Sequence, residues 1–332
     1  MTSRLATALA DGLITAPTGR IAVFRPPAEA DLTPLDSADV HVIHGFKPAS
    51  DAWLARGYAV DVAPSEHYQS ALVYVPRAKA LAQALIADAI RVTGGGPVIV
   101  DGLKQDGVES LYKACRKRGE VSAAVSKAHG KTFVIHAGAF DDWTADTHAT
   151  QGYRTAPGVF SADHVDDASA ALADALPAKL PPVIADLGAG WGYLAAQALT
   201  RPGVDSLHLV EAEHAALACA RHNVTDGRAV FHWADALSFE PPERLDAVIT
   251  NPPFHQTRAA EPELGRSFIR AAAAMLKPSG RLWLVANRHL PYEMEARAHF
   301  REVHEIGGTA RFKILAASKP AAAPLAMARP GR

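Results

Sequence analysis

The sequence predicts an α/β protein with two doubly wound domains, each built on a largely parallel sheet. Its 332 residues suggest two domains, since a typical domain has ~100–200 residues. Strand-like and helix-like segments alternate in both halves of the chain, which indicates parallel strands joined by crossover helices. The alternation stops over residues 141–160, where turn formers occur without periodicity. We therefore expect one domain at 1–150 and a second at 155–316.

Apolar runs in the first half predict strands, and apolar residues at helical spacing predict helices between them. The strands are expected at 40–44, 71–75, 97–100 and 132–136. Helices are expected at 77–92 and along the apolar stripe Val108, Leu111 and Cys115. Outside that stripe the second helix carries a basic cluster, which is either a solvated surface or an RNA contact: Lys113, Arg116, Lys117 and Arg118.

The second half repeats this alternation. Strands are expected at 182–187, 206–211, 229–233, 245–250, 281–286 and 310–315. Helices are expected at 166–176, 193–199, 214–223 and 265–276. The strand at 310–315 is expected to be antiparallel. The Pro- and Ala-rich residues 318–332 are expected to form a disordered tail.

Composition is typical of a globular protein and excludes several functional classes. Apolar residues make up 48% of the chain and charged residues 21%, which excludes a disordered protein. A formal net charge of −1 excludes a uniformly basic nucleic-acid-binding surface. The two cysteines, Cys115 and Cys219, cannot form a zinc cluster, and so few cysteines are typical of a reducing compartment. No apolar run approaches the ~20 residues of a membrane span, so we expect a cytoplasmic protein without membrane or metal partners.

A glycine-rich turn follows the strand predicted at 182–187. It reads Asp186-Leu-Gly188-Ala-Gly190-Trp-Gly192, and its glycines allow positive φ and close backbone approach to a ligand. A dinucleotide site expects G-x-G-x-x-G and binds pyrophosphate. Here the spacing is G-x-G-x-G, and the carboxylate would repel pyrophosphate but suit a cation. The turn therefore predicts a site for S-adenosylmethionine, which carries a sulfonium and an ammonium group; the alternative is a tight structural turn.

Two acidic residues follow the next strands at the same predicted edge. Glu211 ends the second strand, 25 residues after Asp186, where a carboxylate can accept both hydroxyls of a ribose. Asp235 follows the third strand, where a carboxylate can accept an adenine amino group. For each of them the alternative is a solvated surface residue.

The motif Asn251-Pro252-Pro253-Phe254 follows the apolar strand at 245–250. Proline fixes φ near ~−65° and pushes the preceding residue out of the helical region, so the loop is stiff. It presents the Asn251 amide oxygen and the Pro252 carbonyl as acceptors beside an aromatic ring. Two acceptors that grip an aromatic amine direct its lone pair at a methyl donor, and Phe254 can stack on the base. The motif therefore predicts N-methylation; the alternative is an ordinary Pro-Pro turn.

These two motifs resemble those of the class I S-adenosylmethionine-dependent methyltransferases, N-type branch. Further segments resemble the bacterial ribosomal RNA guanine-N2 methyltransferases, and within them the small-subunit (16S) RsmC family: 157–161, Asn287, 290–292 and 311–313. The resemblance implies a duplicated Rossmann-like methyltransferase fold with a degenerate N-terminal copy. In agreement, no D-x-G-x-G-x-G occurs before residue 150. The family usually has Asp-x-Gly-Ser/Thr where this chain has Asp166-Asp-Ala-Ser169, so no cofactor contacts are assigned to that segment.

The resemblance implies methyl transfer from S-adenosyl-L-methionine to N2 of one guanine in 16S ribosomal RNA, either free or within the small subunit. The expected catalytic residues are Asn251, Pro252, Pro253 and Phe254. The expected cofactor-binding residues are Asp186, Gly188, Gly190, Gly192, Glu211, Asp235 and Asn251. The N-terminal domain is expected to contact RNA and act as a scaffold. Two alternatives stay open: an N-methyltransferase acting on large-subunit guanine, adenine N6 or protein glutamine, and a non-catalytic RNA-binding assembly factor.

Overall fold

The chain forms two units, each built on its own sheet. The computed structural model describes residues 4–12, 14–17, 19–35, 40–65, 67–144, 148–253 and 261–321. One unit comprises Met1–Thr147 with Ala156–Gly158, and the other comprises His148–Thr155 with Val159–Arg332. The chain thus passes from one unit to the other within 141–160, the segment that lacks periodicity.

The described part of the first unit alternates strands and helices. Its strands are β1 (Ile21–Phe24), β2 (Val40–Ile43), β3 (Ala59–Asp61), β4 (Ser70–Tyr74), β5 (Val98–Leu103), β6 (Gly119–Val121), β7 (Val125–Lys127) and β8 (Gly130–Gly138). Its helices are α1 (Arg4–Ala10), α2 (Lys47–Ala55), α3 (Lys79–Thr93) and α4 (Val108–Arg116), with a 3-10 turn at Lys104–Asp106. Helix α3 ends at Gly94, which adopts the left-handed conformation common at helix C-termini.

The second unit begins with a two-stranded hairpin and continues with a larger sheet. Its strands are β9 (His148–Thr150), β10 (Tyr153–Thr155), β11 (Val183–Leu187), β12 (Ser206–Glu211), β13 (Ala229–Trp233), β14 (Leu245–Thr250), β15 (Leu276–Asn287), β16 (Phe300–Gly308) and β17 (Phe312–Pro320). Its helices are α5 (Asp167–Ala175), α6 (Tyr193–Leu199), α7 (His214–Asn223), α8 (Glu261–Met275) and α9 (Tyr292–His299).

The two large sheets share one strand order. The first runs β3-β2-β1-β4-β5-β8-β6, and the second runs β13-β12-β11-β14-β15-β17-β16. In both sheets the first five strands are parallel, and the next strand along the sheet is antiparallel to its neighbours. Strand order reverses beside β1 and beside β11, which is where doubly wound sheets bind ligands. The fold class predicted from sequence, a tandem pair of Rossmann-like domains, is confirmed.

Hydrophobic clusters cover both faces of the second sheet. Ile184 and Ile249 belong to the cluster with α5, α6 and α7, whereas Leu187 and Val248 belong to the cluster with α8 and α9. Residues an odd number of positions apart on one strand thus lie in different clusters, because successive side chains of a strand point to opposite faces of the sheet. Because parallel strands are covered on both faces, their residues read as continuous apolar runs, and this is why 182–187 and 245–250 were recognisable in the sequence.

Several elements differ from the sequence-based expectations. Strand β1 was not among the predicted strands; it has four residues, all buried. Strand β16 was missed because it lies at the sheet edge, is mostly exposed and contains several charged residues. The 141–160 segment holds the β9–β10 hairpin rather than loop alone.

The C-terminal strand is longer than predicted. Strand β17 is antiparallel to β15, as expected, but it continues to Pro320. The assignment of Ser318–Pro320 to a disordered tail is therefore wrong, because these residues pair within the sheet: Ser318 faces Arg281 and Glu302. Residues 322–332 of the predicted tail lie outside the described residues.

The described residues contain neither a membrane-spanning helix nor a metal-binding group of side chains. There, no helix is long and apolar enough to cross a membrane. In the same part of the chain, no three His, Cys, Asp or Glu side chains form a group that could hold a metal ion. Cys115 and Cys219 are free and buried, and burial raises the pKa of both thiols.

Helix α8 packs against α9 through a glycine, which gives the first prediction. A Cβ at Gly265 would lie 1.9 Å from the Tyr292 hydroxyl, and Tyr292 is fully buried. Gly265→Ala should therefore lower the free energy of unfolding by about 1–3 kcal/mol, the usual cost of overpacking. Urea denaturation measures this change. Gly227→Ala is the control, because a Cβ at Gly227 meets no atom within 4 Å; equal stability of the two variants would contradict the packing.

Candidate active site

The predicted site residues lie at the carboxyl edge of the second sheet. Asp186 is the penultimate residue of β11, Glu211 is the last residue of β12, and Asn251 directly follows β14. Strand β11 pairs in parallel with both β12 and β14, so their carboxyl ends are neighbours. The Thr250 hydroxyl donates to the Leu187 carbonyl at 2.7 Å, which joins two of these ends.

The glycine-rich turn requires glycine for two separate reasons. Gly188, Gly190 and Gly192 have φ of 72°, 56° and 91°, a region that side chains other than glycine rarely adopt. A Cβ at Gly192 would lie 2.9 Å from Val224, so packing excludes a larger residue there. A Cβ at Gly190 would meet no described atom within 4 Å. Among the described residues, Gly190 thus leaves open space in front of the turn.

Glu211 is fixed to this turn by backbone donors. Its Oε2 accepts the Gly190 N–H at 2.8 Å, and its Oε1 accepts the Glu213 N–H at 2.7 Å. Burial raises the pKa of Glu211, and these N–H groups oppose the increase. Each carboxylate oxygen has a second lone pair that can still accept a hydroxyl group.

Asp186 is fully buried beneath the turn. Neither of its carboxyl oxygens has a hydrogen-bond partner among the described residues. Its pKa is raised to about 7, first by burial and then by the nearby Glu211, while the Ala195 backbone opposes the increase to a smaller extent. A buried carboxylate without a partner is costly, so this position favours a cationic ligand.

The Asn251 amide is held on one side only. Its Nδ2 donates to Asp166 Oδ2 and to Ser169 Oγ, both at 2.8 Å. Its Oδ1 is buried and has no partner in the described part of the chain. The sequence predicted Asn251 Oδ1 as an acceptor, but it did not predict that Asp166 and Ser169 would bind the amide nitrogen. The available signal was the helix N-cap pattern at 166–169, since Asp166 caps α5 by accepting the Ser169 N–H at 2.8 Å.

The remaining predicted site residues are Pro252, Pro253, Phe254 and Asp235, and they are not joined to the cluster of Asp186, Glu211 and Asn251 by any described hydrogen bond. Pro252 is buried and Pro253 is exposed. Phe254 lies outside the described residues. Asp235 follows β13 and is half-buried; its Oδ1 accepts the Leu237 N–H at 2.9 Å. Within the described structure, no hydrogen bond joins Asp235 to the other predicted site residues.

A cleft beside the glycine turn contains residues that sequence reasoning did not assign. Phe160 is 50% exposed, and its carbonyl accepts the Trp191 indole N–H at 3.0 Å. Phe160 belongs to the segment 157–161 that carries part of the family resemblance. The cleft is lined by Phe160, Ser161, Asp166, Ser169, Gly188, Ala189, Gly190, Trp191, Tyr193, Leu194 and Asn251.

Comparison with known proteins assigns this chain to a family. Residues 151–316 match the Methyltransferase small domain family. A ribosomal RNA small subunit methyltransferase C from Hahella chejuensis is 30% identical over 322 residues, which cover 89% of this chain and 93% of that protein. The chain belongs to the ribosomal RNA small subunit methyltransferase C family. A second member, from Shewanella sp. strain MR-4, is 30% identical over 278 residues, covering 79% of this chain and 80% of that one.

A solved structure supports the family assignment over both units. It is described as the T. thermophilus 16S rRNA N2 G1207 methyltransferase (RsmC) in complex with AdoMet and guanosine. The match has a TM-score of 0.77 and 25% identity, and it covers 92% of this chain and 90% of the other. The resemblance to the RsmC family predicted from sequence is confirmed.

The first unit lacks these site residues at the corresponding strand ends. Phe24, the last residue of β1, lies opposite Ile43 and Val73, just as Leu187, the last residue of β11, lies opposite Val210 and Thr250. These equivalent pairs align the two sheets residue by residue. The replacements are Val23 for Asp186, Arg25 for Gly188, His44 for Glu211 and Tyr74 for Asn251. Burial and Arg25 lower the pKa of His44 to about 3, so its imidazole is neutral. Two carboxylates are lost and a cation is added, which disfavours a cationic ligand there.

The raised pKa of Asp186 gives a prediction about stability. Its pKa is about 7 in the folded chain against an ordinary 3.8, so the folded state keeps a proton that the unfolded state releases. Rising pH therefore destabilises the fold through this window, fully so above pH 7. Asp186→Asn should raise the urea midpoint of the ligand-free protein at pH 8, with the difference shrinking toward pH 4.

Asp174→Asn serves as the control, because Asp174 is an exposed acid of α5. It should leave the urea midpoint unchanged at each pH. If the Asp186→Asn protein is no more stable than wild type at pH 8, the ionised Asp186 carboxylate does not destabilise the ligand-free fold, and the prediction is wrong.

Proposed function

We propose that this protein transfers a methyl group from S-adenosylmethionine to the exocyclic N2 of a guanine in 16S ribosomal RNA. Family membership supports this activity, and the related structure described as a complex with AdoMet and guanosine supports the cofactor and the base. The observation that carries the proposal is the Asn251 Oδ1 atom, a buried acceptor without a partner in the described structure. It lies on the stiff Asn-Pro-Pro loop at the edge shared with the glycine turn.

The residues of the second unit suit S-adenosylmethionine. We propose that Asp186 lies near its cationic methionine end, that Glu211 accepts its ribose hydroxyls and that Asp235 accepts its adenine amino group. Gly188, Gly190 and Gly192 let the backbone approach it closely. When bound, S-adenosylmethionine supplies an activated methyl group. The fit rests on the unpartnered buried carboxyl of Asp186 and on the open space before Gly190.

The Asn-Pro-Pro loop provides positioning and electrostatic stabilisation. The lone pair of a guanine amine is delocalised into the ring, which makes the nitrogen a poor nucleophile. Asn251 Oδ1 and the Pro252 carbonyl accept its two hydrogens and direct the lone pair at the methyl group. As the carbon–nitrogen bond formed, the sulfur–methyl bond of S-adenosylmethionine would break and leave its sulfur as a neutral thioether. The nitrogen would gain the positive charge and then release one proton to water. Phe254 is proposed to stack on the base.

The first unit is proposed to contact RNA and to act as a scaffold, with 1–150 as the auxiliary domain and 155–316 as the catalytic domain. Helix α4 supports this role. It buries Val108 and Leu111 and exposes Lys113, Arg116 and Lys117. We further propose a cytoplasmic location and ribosomal RNA, free or within the small subunit, as the partner.

Methylation of 16S ribosomal RNA from a strain that lacks the modification tests the function. Free RNA and assembled small subunits are incubated with the protein and S-adenosylmethionine, and the modified base is mapped. One N2-methylguanine in 16S RNA is the expected product. A methylated adenine, a product confined to large-subunit RNA, or no product would overturn the proposal.

Asn251→Ala should reduce methyl transfer by about 10²-fold or more, as when one preorganised polar group is removed from an active site. Affinity for S-adenosylmethionine should fall much less than the rate: Asn251 is itself expected to contact the cofactor, but the carboxylates proposed to bind it lie on other strand ends. Single-turnover rates and calorimetric titration measure the two effects. A fully active Asn251→Ala protein would place the chemistry elsewhere.

Charge reversal on α4 should weaken RNA binding. The variant Lys113→Glu/Arg116→Glu/Lys117→Glu should lower RNA affinity and flatten its dependence on salt concentration, because fewer phosphate contacts release fewer counterions. Filter binding at several salt concentrations measures both. The control reverses three exposed arginines elsewhere: Arg91, Arg297 and Arg301. If the two variants bind RNA alike, α4 is merely a solvated surface.

A further inference from the structure

We propose that Asp166 and Ser169 are positioning residues that lock the Asn251 amide with its oxygen toward the substrate amine. This inference rests on the proposed function and adds to it. The family resemblance assigned no role to the segment 166–169, and the structure supplies one: its two side chains grip the amide nitrogen of Asn251.

The contact joins residues that are far apart in sequence. Asp166 precedes Asn251 by 85 residues and Ser169 precedes it by 82. Asp166 Oδ2 accepts both the Ser169 N–H and the Asn251 Nδ2–H, each at 2.8 Å. Ser169 is buried, and its Oγ accepts from the same Nδ2 at 2.8 Å. The start of α5 thus receives both hydrogens of the amide.

A carboxylate selects between the two orientations of an amide. An ionised carboxylate accepts hydrogen bonds and cannot donate them. Turning the Asn251 amide over would place Oδ1 against Asp166 Oδ2 and lose that hydrogen bond, whereas the Ser169 hydroxyl can pair with either end of the amide. Asp166 therefore fixes Nδ2 toward α5 and leaves Oδ1 free. That oxygen is buried without a described partner, a costly state unless the substrate supplies a donor.

Helix capping alone does not require this arrangement. Asparagine caps a helix about as well as aspartate, so Asp166→Asn should preserve α5 and the free energy of unfolding. The new amide can also donate to Asn251 Oδ1 and so permit the inverted orientation. We expect kcat to fall by about 10-fold, with the affinity for S-adenosylmethionine unchanged. A merely structural Asp166 would leave kcat unchanged in this variant.

A reciprocal exchange gives the sharper test. Asn251→Asp keeps an acceptor for the substrate but places a carboxylate against Asp166, and kcat should fall by about 10²-fold. In Asn251→Asp/Asp166→Asn, the amide at 166 donates to the carboxylate at 251 and restores the contact with its partners reversed. We expect kcat to recover by about 10-fold over the single variant, a coupling typical of residues in contact.

The neighbouring acid provides the matched control. The Asp167 side chain is 75% exposed, and no hydrogen bond joins it to Asn251 in the described structure. Asn251→Asp/Asp167→Asn removes the same formal charge one residue away and should recover nothing. Urea unfolding of all variants supplies a readout independent of catalysis: Asn251→Asp should be destabilised, and Asp166→Asn should correct this where Asp167→Asn does not.

The outcomes separate the two proposals. If wild type methylates guanine but the reciprocal exchange recovers no kcat, or if Asp167→Asn recovers as much, the positioning role is overturned. If wild type methylates no guanine, the proposed function fails and the substrate-directed role fails with it. The unfolding measurements would then still report whether the carboxylate and the amide are in contact.

Discussion

The buried carboxyl group of Asp186 is the constraint around which the second unit is arranged. It sits fully enclosed at the end of β11, and among the described residues nothing hydrogen-bonds to it. Such a group either keeps a proton, as its raised pKa indicates, or is completed by a ligand, because an unpaired buried charge is expensive. The glycine turn follows directly and leaves open space beside it, while Glu211 raises the pKa of Asp186 further. Both carboxyl groups therefore favour a cation at this edge.

The first unit shows the same sheet without that constraint. Val23 stands at the position of Asp186, so no buried carboxyl group there requires a ligand. Asp101 is buried nearby, but Arg4 pairs with both of its oxygens at 2.8–2.9 Å. A cation of the protein itself thus neutralises the acid in this unit. The two units therefore share one strand order, but the side chains at their strand ends differ, and only those of the second unit favour a cationic ligand.

The features that could be predicted from the sequence are those that depend on residues close together along the chain. The glycine turn after β11, the position of Asn251 directly after β14 and the acid ending β12 were predictable, because chain direction brings the ends of adjacent parallel strands to one edge. The N-cap pattern at 166–169 was visible in the sequence, but its hydrogen bonds to Asn251 were not predictable, since they join residues more than 80 positions apart. The role given to Phe254 remains a prediction.

Proton release on cofactor binding tests the role of Asp186 most directly. If a cation of S-adenosylmethionine completes this carboxyl group, binding at pH 6 should release close to one proton per chain, because the free protein holds that proton with a pKa of about 7. Calorimetric titration in two buffers of different ionisation enthalpy measures the release. Asp186→Asn should abolish it and weaken binding. Binding without proton release, or with the same release in Asp186→Asn, would contradict the account.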